Sequence, residues 1–185
     1  MLLKKSDNKL IEKALDGSQS SWVLLVKRYE RLVYNYCLRM TFNPSDAMDL
    51  MQEVFLAVYR NLPAYRGDGK FKSWMMRIAA NKTTDFLRAR SRNPLHQADQ
   101  VLHEALPDPR SPHSELQQIS QNRQIVRMLA SLPDEQRMVV ELKFFQQFTF
   151  EEISQQTGTA ISTIKTRLYT ALQNLKTHQE AQNAL

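Results

Sequence analysis

Apolar residues in this chain return every three or four positions over long stretches, and nowhere do they alternate through a strand-length run. That period belongs to helices with one buried face. The 185 residues include only four glycines, too few for the turn-rich connections of an all-β fold. An all-α fold is expected.

The helical pattern lapses between Asn93 and Ser114. Pro94, Pro107, Pro109 and Pro112 stand there among His, Asp and Gln without an apolar period. The segment reads as a flexible linker between two small helical modules, residues 1–92 and 115–185. His96, His103 and His113 lie in it with no Cys or carboxylate at ligand spacing, so no metal and no cofactor are expected.

Charge divides unevenly along the chain. Residues 1–92 carry 17 Lys+Arg against 9 Asp+Glu, residues 93–116 carry 1 against 4, and residues 117–185 carry 7 against 6, for a net charge of +6. The basic first half suits a polyanion, and an anionic membrane surface equally. No apolar run approaches the roughly 20 residues that span a bilayer. Met1 to Lys13 is mixed-charge and lacks a signal-peptide core, so a cytoplasmic protein is expected. The single cysteine, Cys37, sits among Val33, Tyr34, Tyr36 and Leu38 and reads as a buried, reduced thiol.

In the first module the spacing predicts an amphipathic helix from Ser20 to Met40, with Trp22, Leu25, Val26, Tyr29, Leu32, Val33 and Tyr36 on one side. Asn43-Pro44-Ser45-Asp46 joins a cap, a proline at the first helical position and an early carboxylate. This starts a second helix, running to about Asn61. Pro63 to Lys70 is a loop, and a third helix runs from Phe71 to about Arg90. The second module should begin with a helix from Glu115 to about Ala130. Leu132-Pro133-Asp134-Glu135 opens the next. Thr149-Phe150-Glu151-Glu152 fits a capping box whose helix stops at Gly158, and a last helix follows from about Ser162 to Lys176.

Three faces could carry function. On the last helix Ile161, Ile164, Leu168, Ala171, Leu172 and Leu175 gather on one side, and Ser162, Thr163, Thr166, Tyr169, Thr170 and Gln173 on the other. Lys165 and Arg167 flank the polar side. A short capped helix, a glycine turn and such a helix make a DNA-reading helix-turn-helix, with hydroxyls toward base edges and cations toward phosphates. An ordinary helical hairpin with a solvated face has the same pattern. Asp46, Asp49 and Glu53 form an acidic strip on the second helix, either a solvated face or a docking surface for a basic partner. On the third helix Phe71, Met75, Ile78, Ala79 and Phe86 form the side expected inside. Arg77, Asn81, Thr84 and Arg88 line up apart from it, with Trp74 at the border, and Arg90 and Arg92 follow. Cations with an edge aromatic suit single-stranded DNA, because phosphates are neutralised while an unstacked base lies on a ring.

The segments DAMDLMQEVFLAVYRNL (46–62), YRGDGKFKSWMMRIAANKTTDFLRAR (65–90), LASLPDEQRMVVELKFF (129–145) and FTFEEISQQTGTAISTIKTRL (148–168), in this order, resemble the extracytoplasmic-function (ECF) class of bacterial sigma factors, RpoE-like group. The resemblance implies region 2 over residues 20–92 and region 4 over 115–178. It implies that Asp46, Asp49, Gln52 and Glu53 meet the clamp helices of the largest subunit of core RNA polymerase. Tyr65, Arg66, Lys70 and Phe71 of the loop, with Trp74, Arg77, Asn81, Thr84 and Arg88, would melt and read the minus-ten element. The last helix would read the minus-thirty-five element through Ser162, Thr163, Lys165, Thr166, Arg167, Tyr169 and Thr170, and region 4 would touch the flap of the second-largest subunit. An anti-sigma partner, able to hold the protein at the inner membrane, is implied too. At the start of the last helix the chain has Ala160 and Ser162-Thr163 where the family usually has a proline and a Gly-Thr pair.

The implied function is an alternative sigma factor that binds core polymerase and directs promoter recognition, strand opening and transcription initiation. It needs no catalytic residue and no small-molecule substrate. A stand-alone DNA-binding regulator would use the last helix but not the acidic strip or the Arg77–Arg88 face. An enzyme would need a phosphate loop, a metal cluster or a nucleophile–base motif, and none is recognisable.

Overall fold

The computed structural model describes residues 6–67, 69–92, 125–126 and 128–183. Those residues are mostly helical, with no strand among them. Helices α1 (Asp7–Leu15), α2 (Gln19–Thr41) and α3 (Pro44–Asn61) lead through a 3-10 turn (Leu62–Ala64) to α4 (Phe71–Arg92). In the second module α5 (Asp134–Val140) continues as a π-helical turn (Glu141–Phe145), followed by α6 (Phe150–Thr157) and α7 (Ile161–Asn183). The expected linker and the first part of the helix expected from Glu115 lie outside the described residues.

Local chemistry explains where the helices start and stop. The Asn43 side chain accepts from the backbone N–H of Ser45 and Asp46 at 2.8 and 3.1 Å, and Pro44 follows in the first turn. These bonds satisfy donors that every helix start leaves open. Thr149 and Glu152 form the full capping box of α6. Gly158 closes α6 at φ +65°, a left-handed conformation that costs glycine nothing. Helix α1 was not anticipated from its mixed-charge sequence. Ser6 caps it, and Leu10 and Ile11 anchor it, 1% and 4% exposed.

Val33, Tyr36 and Leu25 of α2, Leu50, Val54 and Val58 of α3, and Met75, Met76 and Ala79 of α4 build the core of the first module. On α4 the buried side is shifted from the expected one. Met76, Ala80, Thr83 and Leu87 are buried, whereas Ile78 and Phe86 are half-buried. A helix wedged between two neighbours hides a wider stripe than one resting on a single surface. In the second module Leu142, Phe148, Ile153, Ile164, Leu168 and Ala171 meet beneath α6 and α7. Leu172, grouped with them by periodicity, is 40% exposed, and α7 runs to Asn183 rather than stopping near Lys176.

Candidate functional site

The acidic strip rests on α3, whose apolar residues Ala47, Leu50, Val54 and Val58 are buried and so turn the strip outward. Asp49, Gln52 and Glu53 are exposed and Asp46 is partly so. The carboxylates are not isolated. Asp46 lies 3.7 Å from Arg90, and Glu53 lies 3.8 Å from Lys82, both on α4. These pairs soften the repulsion within the strip and join α3 to α4 through Lys82 and Arg90, on a side of α4 apart from the Arg77–Arg88 strip.

The loop before α4 carries the second group. Gly67 at φ +78° and Gly69 at φ +151° turn the chain, and the Tyr65 hydroxyl donates to the Gly69 carbonyl at 2.7 Å. Lys70 then starts α4, its carbonyl accepting from Ser73 and Trp74 N–H. Phe71, 3% exposed, is a buried ring under the loop. Tyr65 and Trp74 pack on it at centroid distances of 5.5 and 5.6 Å and on each other at 5.1 Å. Both are half-buried, so the cluster presents ring surface while resting on the core. Arg66, Lys70, Arg77, Asn81 and Arg88 are exposed, and Thr84 is half-buried with its hydroxyl donating to the Ala80 carbonyl. Cations thus border a fixed aromatic surface, the arrangement that holds phosphates and stacked bases together.

On α7 Ser162, Thr163, Lys165, Thr166, Tyr169 and Thr170 are exposed, with Tyr169 at 67%. Ile164, Leu168 and Ala171 lock the opposite side to α5 and α6. The cations are engaged within the module. Arg167 is ion-paired with Glu135 of α5, and the Lys165 ammonium lies 5.5 Å from the Phe150 ring centre. The Thr166 hydroxyl donates to the Ser162 carbonyl at 3.0 Å.

The structure also joins residues that the sequence reading did not single out. Arg39, near the end of α2, donates from Nε and Nη2 to the two carboxylate oxygens of Glu141, each at 2.7 Å. Glu141 is fully buried and also accepts from Gln146 Nε2 at 3.0 Å. The guanidinium lies 4.3 Å from the Phe145 ring centre. Beside this fork Tyr36 donates to the Met138 sulfur at 3.3 Å, and the Arg137 guanidinium lies 4.4 Å from the ring of Phe42. Phe42 caps α2 at φ +58°, strained for a bulky residue, and its ring sits inside this junction. The available signal was Glu141 itself, one carboxylate among the apolar residues Met138, Val139, Val140 and Leu142. A charge so placed needs a buried partner.

No group of His, Cys, Asp and Glu able to hold a metal occurs among the described residues. No described helix is long and apolar enough to cross a membrane.

Residues 25–93 match Sigma-70 region 2 and residues 122–175 match Sigma-70, region 4. The chain is 33% identical to the ECF RNA polymerase sigma-E factor of Escherichia coli strain K12 over 175 residues, covering 90% of each chain. It is 28% identical to the RNA polymerase sigma-H factor of Pseudomonas aeruginosa over 178 residues, covering 92% of each. Its fold is similar to that of CnrH in complex with the cytosolic domain of CnrY, with a TM-score of 0.65 and 20% identity over 96% of this chain and 99% of that one. It is likewise similar to the sigma factor RpoE in complex with the anti-sigma factor NepR from Bartonella quintana, with a TM-score of 0.64 and 20% identity over 84% and 94%. Both domain matches and the sigma-E relative agree with the residues described above: the chain belongs to the ECF class of RNA polymerase sigma factors and is an alternative sigma factor directing transcription initiation.

Proposed function

We propose that the chain works in the cytoplasm without covalent chemistry of its own, as a detachable promoter-reading subunit of RNA polymerase. Asp46, Asp49, Gln52 and Glu53 dock on the clamp helices of the largest core subunit, and the second module touches the flap of the second-largest. Ser162, Thr163, Lys165, Thr166, Arg167, Tyr169 and Thr170 meet the minus-thirty-five duplex. Tyr65, Trp74 and the cations Arg66, Lys70, Arg77 and Arg88, with Asn81 and Thr84, receive the unpaired minus-ten strand over the buried ring of Phe71. Unstacking costs a few kcal/mol per base, and stacking on a fixed ring offsets it. An anti-sigma protein would act by covering the docking strip, whether free or at the inner membrane.

One observation supports this reading most. The acidic strip and the basic-aromatic face stand exposed on adjacent helices of one module, linked through Asp46–Arg90 and Glu53–Lys82. A stand-alone DNA-binding regulator would use only α7. Promoter elements about 25 base pairs apart are about 85 Å apart along B-DNA. A compact 185-residue chain has a radius of gyration of only about 16 Å, so the Arg39–Glu141 junction must open on the promoter. Promoter-specific transcription by purified core polymerase, with and without the chain, is the test. Equal transcription in both arms would defeat the reading.

A further inference from the structure

Helix α1 precedes the residues that match region 2, which begin at residue 25. Neither the acidic strip nor the basic-aromatic face includes it. Its first residue, Asp7, is nevertheless tied firmly into the module. One carboxylate oxygen accepts from Arg28 Nη1 and the other from the Tyr29 hydroxyl, both donors on α2. Asp7 and Arg28 side chains retain only 27% and 22% of their exposure, so the pair is largely shielded from competing water. Burial, reinforced by the Asp7 carboxylate, holds the Tyr29 hydroxyl well above the ordinary tyrosine range and keeps it a donor.

Tyr29 carries the connection to the loop. Its ring centre is 5.6 Å from that of Phe71, the first residue of α4. Phe71 in turn supports Tyr65 and Trp74, and Tyr65 holds the loop through Gly69. Helix α1 also abuts the 3-10 turn Leu62–Ala64, which delivers the chain into that loop. Leu10 and Ile11 also anchor α1 by burial, so the helix does not rest on Asp7 alone. What its two bonds determine is where the Tyr29 ring lies.

We propose that Asp7 is a positioning residue for the contact with unpaired DNA: through Tyr29 it fixes the ring stack on which Tyr65 and Trp74 receive bases. The proposal rests on the reading of the 65–71 loop and Trp74 as the minus-ten contact. A surface fixed before binding spares the ordering cost that a mobile one incurs on binding.

The test uses the full chain assembled with core polymerase. Binding of a single-stranded minus-ten oligonucleotide is measured by fluorescence anisotropy, alongside affinity for core polymerase and for a minus-thirty-five duplex. Asp7→Ala and Tyr29→Phe should each weaken oligonucleotide binding about tenfold, the scale of ordering one or two side chains on binding rather than before it. Asp7→Glu should restore most of it, and the Asp7→Ala/Tyr29→Phe double variant should be no weaker than Asp7→Ala alone, which already removes the bond to Tyr29. Core and duplex affinities should not move. Wild-type oligonucleotide binding by both Asp7→Ala and Tyr29→Phe, with binding lost in Trp74→Ala, overturns the positioning role alone. A parallel loss of core affinity overturns it as well, because the effect would then be on the whole module. If Trp74→Ala and Arg77→Ala both bind like wild type, the loop reading falls and the proposal with it. Should Asp7→Ala fail to fold, Tyr29→Phe decides the matter, since it keeps the ring and removes only the hydroxyl.

Discussion

Replacing Arg39 with Met isolates the junction between the two modules. The substitution keeps an unbranched apolar stem over Phe145 and removes both bonds to Glu141, leaving that buried carboxylate with only the Gln146 amide. Two bonds to a charged group at about 1.5–3 kcal/mol each set the scale. Breaking a buried pair from one side costs about 3–5 kcal/mol, which agrees. The modules have an escape that a single core would lack, since by parting they return Glu141 to water. The cost therefore cannot exceed the free energy that holds the modules together, and it should appear first as separation rather than as global unfolding. Small-angle scattering of the free chain should give a radius of gyration near the compact value of about 16 Å for wild type and a clearly larger one for Arg39→Met. Arg39→Met/Glu141→Leu should return toward the compact value, because an apolar pair of similar volume is often as stable as the buried ions it replaces. If Arg39→Met scatters like wild type and unfolds in urea within about 0.5 kcal/mol of it, the reasoning about this junction is wrong. Where the closed form dominates the free chain, weakening it by about 3 kcal/mol should raise apparent affinity for a promoter carrying both elements by up to about a hundredfold.

Asp49→Lys reverses an exposed charge in the middle of the α3 strip. Circular dichroism should be unchanged while core polymerase affinity falls by more than about tenfold, since like charges facing each other cost several kcal/mol; full affinity would remove Asp49 from the docking surface. Arg167→Ala should weaken minus-thirty-five duplex binding and reduce the slope of log K against log salt by about 0.9, the contribution of one phosphate contact. Glu135→Gln releases Arg167 from its ion pair and should tighten the same binding, so titrations across salt concentrations check both. Cys37 is fully buried, and burial pushes its thiol up to about 12 from an ordinary value near 9. The thiol is neutral in folded and unfolded chains below pH 9, and only the unfolded chain ionises between pH 9 and 12, so this contribution to stability is complete below 9 and fades above it. The stability advantage of wild type over Cys37→Ala should shrink by about 1.4 kcal/mol between pH 8 and pH 10 in urea unfolding, at 1.36 kcal/mol per unit. A constant difference would contradict the burial argument.

Much of the helical plan was legible because the signals are local. A cap acts on N–H groups two or three residues away and an apolar face repeats every three or four, so Asn43-Pro44, Thr149 to Glu152 and Gly158 mark boundaries that packing did not move. The exposed sides of α3, α4 and α7 follow from the same period, and with them most of the candidate contact residues. Phe71 differs: its place in the motif marks it for DNA, whereas its burial makes it the support for Tyr65 and Trp74. Helix α1 escaped notice because nine residues with mixed charge carry too short a pattern; packing of Leu10 and Ile11 stabilises it.

The sequence by itself determined an all-helical chain, the limits of α2, α3, α4 and α6, and the character of three outward faces. Each depends only on residues within a turn or two of one another. Tertiary structure alone decided which charges leave solvent and which partners they meet. Arg39 and Glu141 lie 102 positions apart and Asp7 and Tyr29 lie 22 apart, separations over which no helical period carries information. Such pairs exist because burying a carboxylate is tolerable only where a fixed donor meets it. The α3 strip, three like charges when read alone, became a strip bound at two points to α4. That joining of α3 to α4 belongs to the packing of the module and to no single segment.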